Sequence, residues 1–389
     1  MSSAASWTLR RMGELVSLTS GQSPSGFNFG SRGIPYYKVD QLGSAQKYLN
    51  RRSTHYFCQH LPCVPAGSVL IAKRGGAIAL NRVRLTTEPS FMDTNVMALT
   101  PGDEIDCEFL YYWLGYRGLW DIADVTSVPQ INNKHIKPLE IVLPTLVEQR
   151  RIASVLDHID GLISSLERLI TKKQAIKQGM MQELLTGRTR LPGFTRNWVP
   201  GTFEDLASPV KERTLPAQVS PDTPLVELEQ IEPATGRLLA RSTVTTATSF
   251  KTRFSVGDVL FGKLRAYLRK FWIADTSGLC TTEIWAFRPK PGVSGEFVRF
   301  VVETDGFIEV ASGAYGTHMP RSDWGTVRRY ELLIPEPEEQ KAIASVLMDA
   351  DREIELLRAR LTKAHDIKQG MMQELLTGRT RLPVQETVA

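Results

Sequence analysis

The chain carries the same stretch of 17 residues twice. IKQGMMQELLTGRTRLP occupies residues 176–192 and again residues 367–383, an offset of 191. Shorter matches at this offset pair Trp7 with Trp198, Pro129 with Pro320, Pro144 with Pro335, Glu148-Gln149 with Glu339-Gln340, and 152–156 with 343–347. A duplicated sequence of this kind predicts one structural unit built twice.

The two halves differ in how strongly they match. Residues 145–192 and 336–389 are similar to each other, whereas residues 1–144 and 193–335 have diverged. A chain of 389 residues is long enough for two or more domains. We therefore expect two variable domains, each followed by a conserved helical segment, related by a pseudo-twofold tandem repeat.

Both conserved segments are predicted to be long helices. Apolar residues recur at alternating steps of four and three, which is the spacing of a coiled-coil seam. The predicted seam consists of Ile152, Leu156, Ile159, Ile163, Leu166 and Ile170, and of Ile343, Leu347, Ala350, Ile354, Leu357 and Leu361. In the first copy the seam weakens at Lys173 and Lys177. It is expected to resume near Ile176, Met180 and Leu184.

The ends of the predicted helices carry recognisable signals. Thr145 and Glu148 form a capping-box pattern, and Pro337 suits the first position of a helix. Gly187 and Gly378 stand where a left-handed residue ends a helix. About 40 residues of helix span roughly 60 Å. Antiparallel packing of the two helices is the simplest arrangement, because it places one variable domain at each end.

The variable segments are predicted to be mixed α and β. Stretches rich in valine, isoleucine and aromatic residues at 68–72, 96–99, 258–262 and 283–287 are typical of strands, whereas 108–119 and 296–303 are typical of helices. The predicted fold class is therefore α+β: two mixed α/β domains separated by two long antiparallel coiled-coil helices.

Composition restricts the function only loosely. A net charge of +5 and a pI near 8.9 permit a nucleic-acid partner without requiring one. Four cysteines are too few for a disulfide scaffold in a chain of this size. The sequence begins without a signal-peptide pattern and has no apolar run of about 18 residues, so we expect a cytoplasmic protein without a membrane partner.

The helix signatures resemble a known family. The pattern Leu-Pro-x-x-x-Glu-Gln-x-x-Ile-Ala opens the first helix, and Gln-Glu-Leu-Leu-Thr-Gly closes both, within residues 143–192 and 334–383. These segments, and the stretch GDVLFGKLRAYLRK at 257–270, resemble the specificity subunits of Type I restriction–modification enzymes. The resemblance implies a non-catalytic subunit with two target-recognition domains that read the two parts of an asymmetric sequence in double-stranded DNA.

The same resemblance implies the partners. Two methyltransferase subunits, which use S-adenosylmethionine to methylate adenine, would bind the chain and recruit motor–nuclease subunits through themselves. No cofactor is expected in this subunit, which lacks both a glycine-rich cofactor turn and an Asn-Pro-Pro-aromatic motif.

Candidate DNA-binding residues follow the predicted strands. Arginine, glutamine and asparagine can pair with base edges in the major groove, and lysine can bind phosphate. The candidates in the first half are Lys73, Arg74, Gln130, Asn132, Asn133 and Lys134. Those in the second half are Lys263, Arg265, Arg269, Lys270, His318, Arg321 and Ser322.

Two motifs leave other functions open. Gly257, Gly262 and Lys263 come within one residue of a phosphate-binding loop, but Leu264 stands where that loop needs a hydroxyl group. The ligand types and spacing of His55-x-x-Cys58-x-His60-x-x-Cys63 permit a zinc site. A nucleotide- or zinc-dependent enzyme and a coiled-coil scaffold for two protein ligands are therefore the alternatives to DNA recognition.

Overall fold

The chain forms two compact units that share the two long helices. The computed structural model describes residues 7–59, 64–124, 128–244, 249–313 and 320–382. The first unit comprises Met1–Glu167 and Ala359–Ala389, and the second comprises Arg168–Arg358. Within the described ranges, no helix combines the length and the apolar character needed to cross a membrane.

The helices range from single turns to about 40 residues. In chain order they are α1 Met12–Leu15, α2 Cys107–Arg117, α3 Asn133–Ile136, α4 Leu146–Leu184, α5 Phe203–Leu206, α6 Gly295–Glu303, α7 Asp305–Ser312, α8 Trp324–Val327 and α9 Pro337–Leu376. The helices predicted at 108–119 and 296–303 correspond to α2 and α6. Pro337 occupies the first position of α9, as predicted.

Strands make up most of the remaining regular structure. The first unit contains β1 Thr8–Arg11, β2 Val16–Ser20, β3 Ile34–Tyr37, β4 Tyr48–Leu49, β5 Phe57–Cys58, β6 Val69–Ala72, β7 Arg84–Thr86, β8 Phe91–Met92, β9 Val96–Pro101 and β10 Glu140–Leu143. The second contains β11 Val199–Thr202, β12 Ala207–Pro209, β13 Arg213–Thr214, β14 Pro224–Val226, β15 Ser242–Thr243, β16 Lys251–Phe254, β17 Val259–Gly262, β18 Phe271–Ile273, β19 Gly278–Cys280, β20 Ile284–Pro289 and β21 Glu331–Ile334. All four predicted strands are present, as β6, β9, β17 and β20.

The two units are built around the same strand arrangement. The main sheet of the first unit has the order β2-β9-β6-β7-β4, and the second unit has a sheet ordered β12-β20-β17-β18. In both, the central strand is buried and antiparallel to its neighbours, with Val69 opposite Leu99 and Val259 opposite Phe287. The mixed α/β character of both variable segments is therefore as predicted.

The seam pattern of the two long helices agrees with their burial. The buried seam residues are Ile152, Leu156, Ile163, Ile170, Ile343, Leu347, Ile354 and Leu357. The partly exposed ones are Ile159, Leu166, Ala350 and Leu361. The apolar residues of each helix therefore lie on one face, which is withdrawn from water, as in other amphipathic helices.

Ion pairs give the direction of the helices within each unit. In the first unit, Asp160 lies 2.7 Å from Lys368, and Glu148 lies 2.7 Å from Arg381. Residues further along the first helical segment thus pair with residues that come earlier in the second segment. The second unit shows the same order, because Lys173 contacts Glu353 at 2.7 Å and Arg190 contacts Glu339 at 2.6 Å. The paired segments run antiparallel in each unit.

The lysine that interrupts the predicted seam is buried and paired. Only 7% of Lys177 is exposed, and its ammonium group lies 2.6 Å from both Glu303 and Asp351. A charged side chain can be buried without a prohibitive loss of stability when it is paired in this way. The prediction for Ile176 is wrong, since it is 45% exposed and Lys177 takes the buried place. Further along, Met181 is buried rather than Met180, and Leu184 is buried as predicted. The seam therefore continues through an ion pair.

In the second unit, the segment after α4 binds the start of α9. The side chain of Glu339 is 1% exposed and accepts hydrogen bonds from Arg190 Nε at 2.6 Å and from Trp198 Nε1 at 2.8 Å. The chain turns at Gly187, where φ is +71° and a Cβ atom would lie 3.2 Å from the Trp198 ring. The helix thus ends at Leu184, although the repeated sequence continues to residue 192.

The first unit repeats this contact around Glu148. Its carboxylate accepts hydrogen bonds from Arg381 Nη2 at 2.7 Å and Trp7 Nε1 at 3.2 Å, and Gly378 has a φ of +72°. The capping-box prediction is right for Thr145, whose hydroxyl accepts from the Glu148 amide at 3.4 Å. It is wrong for the carboxylate, because Glu148 is engaged by Arg381 and Trp7.

Charge placed on the seam should destabilise the unit that contains it. Ile163→Asp is expected to cost the first unit about 3 to 5 kcal/mol, because an unpaired carboxylate would be buried among apolar groups. Ile354→Asp should do the same in the second unit. The matched controls are Leu162→Asp and Leu356→Asp, which alter neighbouring side chains that are 48% and 58% exposed. Thermal unfolding checks this; equal effects of seam and control variants would contradict it.

Candidate nucleic-acid interface

In the first unit, two predicted clusters lie side by side. The backbone beyond β6 pairs with a distant stretch of chain. The Gly75 amide donates to the Pro129 carbonyl at 2.9 Å, and the Ile131 amide donates to the Lys73 carbonyl at 2.9 Å. The strand end therefore brings residues 73–75 against residues 129–131.

The side chains at this strand end are polar or basic. Arg74 and Gln130 face each other as an antiparallel bridge; Arg74 is exposed and Gln130 is half-buried. Lys73 donates to the Ser20 hydroxyl at 2.9 Å. Burial, and then repulsion from Arg74, lower the pKa of Lys73. The first unit thus presents an arginine and an amide together, both able to form paired hydrogen bonds with base edges.

A short helix extends this cluster. The backbone amide of Asn132 donates to His135 Nδ1 at 2.9 Å just before α3, and the side chain of Asn133 is exposed. Asp124 lies 3.0 Å from Lys134 and 3.2 Å from His135 Nε2. The hydrogen bond from Lys134 is the main reason that the pKa of the Asp124 carboxyl is lowered. Lys134 is therefore anchored, but 67% of its side chain remains exposed.

The second unit reproduces the backbone pairing. The Arg265 amide donates to the Pro320 carbonyl at 2.9 Å, and the Ser322 amide donates to the Lys263 carbonyl at 2.8 Å. These bonds occupy the same places as the two in the first unit, at offsets of 190 and 191 in the sequence. The strand ends of the two units are thus equivalent in backbone geometry.

The side chains at the second strand end differ from those at the first. Leu264 and Arg321 form the bridge, and Arg321 donates to Glu283 at 2.8 Å while its side chain remains 62% exposed. Ser322 is 8% exposed, and its hydroxyl has no hydrogen-bond partner within the described part of the chain. His318 lies outside the described residues. Equivalent backbone positions therefore carry different chemistry in the two units.

The chain turns at the same point in both units. Gly75 has a φ of +73°, and its counterpart Arg265 has a φ of +54°. A residue other than glycine in this region costs on the order of 1 kcal/mol or more, and such strain is concentrated at functional sites. The exposed Arg265 is therefore held in an unfavourable backbone conformation by its hydrogen bond to Pro320.

Two candidate cations of the second unit bind the protein itself. Arg269 donates to the Glu303 carbonyl at 3.0 Å and also contacts the Asp305 carboxylate. Lys270 donates to the Leu228 carbonyl at 2.7 Å. These contacts fix the turn that follows β17. DNA contact by these two residues stays a prediction.

Similarity to characterised proteins runs along the chain. Residues 5–178 match the family model described as the type I restriction modification DNA specificity domain. The chain is 21% identical to the EcoDI type I restriction enzyme specificity subunit of Escherichia coli, over 96% of this chain and 88% of that protein. It is 20% identical to the MjaVIII specificity subunit of Methanocaldococcus jannaschii, over 97% and 93%. Residues 5–178 thus match the type I specificity domain, and the similarity to specificity subunits extends over nearly the whole chain.

The fold of the chain also matches a solved structure. The crystal structure of the S subunit of a type I restriction–modification system from M. genitalium superposes with a TM-score of 0.57 at 14% identity. The match covers 95% of this chain and 96% of that one. The similarity therefore extends through both variable segments and both long helices.

Two basic residues close to the second strand end were not among the candidates predicted from the sequence. Lys211 and Arg213 follow β12 and line the same cleft as Lys263. The repeat offset of 191 pairs them with Ser20 and Gln22, and the first of these binds Lys73. The offset alone does not point to Lys211 and Arg213, because Ser20 and Gln22 are uncharged and the strands β2 and β12 were not predicted.

The alternative motifs have structural roles where they can be described. Gly262 and the three residues before it form the buried strand β17 rather than a phosphate-binding loop. Cys58 is buried, and its thiol donates to the Ile34 carbonyl at 3.7 Å. His60 and Cys63 lie outside the described residues. In the described ranges, no group of three or more metal-binding side chains is found.

Proposed function

We propose that the chain is the DNA-recognition subunit of a type I restriction–modification enzyme and reads a two-part target, one part with each unit. The equivalent strand ends carry this proposal. Both place a pair of side chains on the same backbone frame, but the pair is Arg74 and Gln130 in one unit and Leu264 and Arg321 in the other. Identical frames with different side chains are what two different half-sites require.

The chemistry at the strand ends suits duplex DNA. Arginine pairs with the N7 and O6 atoms of guanine, and glutamine or asparagine pairs with adenine. Lysine and arginine beside them would bind phosphate groups and position the reader on the duplex. Arg74, Gln130, Asn132 and Asn133 are proposed to read the first half-site. Arg265 and Arg321 are proposed to read the second, and Lys73, Lys134 and Lys263 to bind phosphate.

The helices supply the reason for two partners. Residues 176–192 and 367–383 are identical, and both copies expose the same apolar side chain, 45% of Ile176 and 43% of Ile367. We propose that α4 and α9 form an antiparallel coiled coil whose equivalent outer surfaces bind two copies of an S-adenosylmethionine-dependent methyltransferase subunit. Motor–nuclease subunits would join through these copies. The chain itself would contribute no catalytic group.

Mapping methylated bases tests this proposal. A host without its own adenine methylation, expressing this chain with a methyltransferase subunit, should acquire methylated adenines in a split motif. The two halves should be unrelated, separated by a fixed gap and methylated on opposite strands. The control is the methyltransferase subunit expressed without this chain, which should leave the motif unmodified. A continuous palindromic motif would contradict two different readers, and methylation by the isolated chain would contradict a non-catalytic subunit.

A further inference from the structure

The second unit contains a basic cleft beside its strand end. The cleft has a volume of about 360 Å³ and is lined by the segment that follows β12, by Thr252 of β16, by Lys263 just after β17 and by the start of β20. Its charged lining residues are Lys211, Arg213 and Lys263, and no carboxylate of the described residues lines it. The Lys263 ammonium group lies 6.0 Å from the ring centre of Trp285, which also lines the cleft.

Two of the three cations in this cleft have no ion-pair partner among the described residues. Lys211 and Arg213 are exposed, and neither forms an ion pair with any residue that the structure describes. The acidic residues that directly adjoin lining residues in the sequence are already engaged, since Glu212 pairs with Arg253 at 3.0 Å and Glu283 pairs with Arg321. Three like charges around one cleft repel one another unless an anion enters it.

The equivalent place in the first unit keeps only one of these three cations, Lys73, at the position of Lys263. Strand pairing sets Leu18 opposite Leu99 and Pro209 opposite Phe287, so β2 and β12 occupy the same position in their sheets. Two residues further along, Lys211 therefore corresponds to Ser20. By the same count Arg213 corresponds to Gln22. In the first unit Ser20 accepts a hydrogen bond from Lys73, whereas in the second unit a cation replaces that acceptor.

We propose that Lys211 and Arg213 bind phosphate groups of duplex DNA at the second half-site, with Lys263 between them and the bases. The inference rests on the proposed DNA-recognition function and adds an asymmetry to it. The second unit supplies phosphate contacts that the first unit lacks at the equivalent place. Phosphate contacts contribute affinity that falls steeply with salt and is independent of base sequence.

Salt dependence of binding tests this assignment. The full-length chain is titrated with a fluorescent duplex of random sequence over a range of salt concentrations. The slope of log K against log salt is negative, and each phosphate contact contributes roughly 0.9 to its magnitude. Lys211→Ser should reduce this magnitude by about 1, and Lys211→Ser combined with Arg213→Gln should reduce it by about 2. Serine and glutamine are the residues of the first unit at these positions, and both replaced side chains are exposed, so the fold is expected to tolerate the changes.

The matched control is Lys290→Ser, which removes another exposed lysine from the far end of the same strand pair. Its slope should equal that of the unaltered chain. An unchanged slope in the Lys211 and Arg213 variants would overturn the phosphate assignment, as would binding of the unaltered chain that does not depend on salt. The split methylated motif decides the proposed function separately, because it can appear even if these two residues contribute nothing.

Discussion

Arg190→Ala is expected to destabilise the second unit by about 3 to 5 kcal/mol, because it leaves the buried Glu339 carboxylate without its cation. Trp198 would still donate one hydrogen bond, which does not neutralise the charge. A loss of this size should lower the melting temperature by roughly 10 °C. Thermal unfolding followed by tryptophan fluorescence measures it.

The matched control is Arg196→Ala. Arg196 belongs to the same segment and pairs with Glu336, but its side chain is 82% exposed, so the pair should contribute about 1 kcal/mol or less. Adding Glu339→Gln to Arg190→Ala should recover part of the stability, because no unpaired charge then remains buried. If Arg190→Ala changes stability no more than Arg196→Ala, the buried ion pair does not hold the helix start.

Gln130→Ala and Arg321→Ala should each relax base preference in only one half of the target. The two side chains occupy equivalent bridge positions in different units. A lost bidentate contact reduces base discrimination by about 1 to 3 kcal/mol, which is roughly 5- to 150-fold. Methylation mapping with each variant measures the preference at every position of the motif, and the unaffected half serves as the internal control.

Arg321→Lys distinguishes base recognition from the contribution of positive charge to affinity. Lysine keeps the positive charge but lacks the planar pair of donors, so base preference should relax while salt-dependent affinity is retained. A variant at either position that degrades both halves equally would contradict two independent readers. Loss of methylation at all sites would indicate a folding defect, which the melting temperature reports independently.

The sequence by itself determined most of the local structure. The strands β6, β9, β17 and β20 and the long helices follow from patterns of neighbouring residues. The strands were indicated by runs rich in valine, isoleucine and aromatic residues and the helices by a heptad pattern, and both signals lie in neighbouring residues of the chain. The repeat also predicted that the two halves share one architecture. These features depend on short-range physics, and a single sequence records them directly.

Only the tertiary structure decided which charged side chains are available. Arg269 and Lys270 looked the same in sequence as Arg265, yet their partners Glu303 and Leu228 lie 34 and 42 residues away in the chain. Glu148 resembled half of a local capping box, but its partner Arg381 is 233 residues distant. A side chain pairs with whatever the chain path brings within about 3 Å, and local sequence carries no record of that path. For the same reason the pairing of residues 73–75 with 129–131, which assembles the first strand end, could not be read from either stretch.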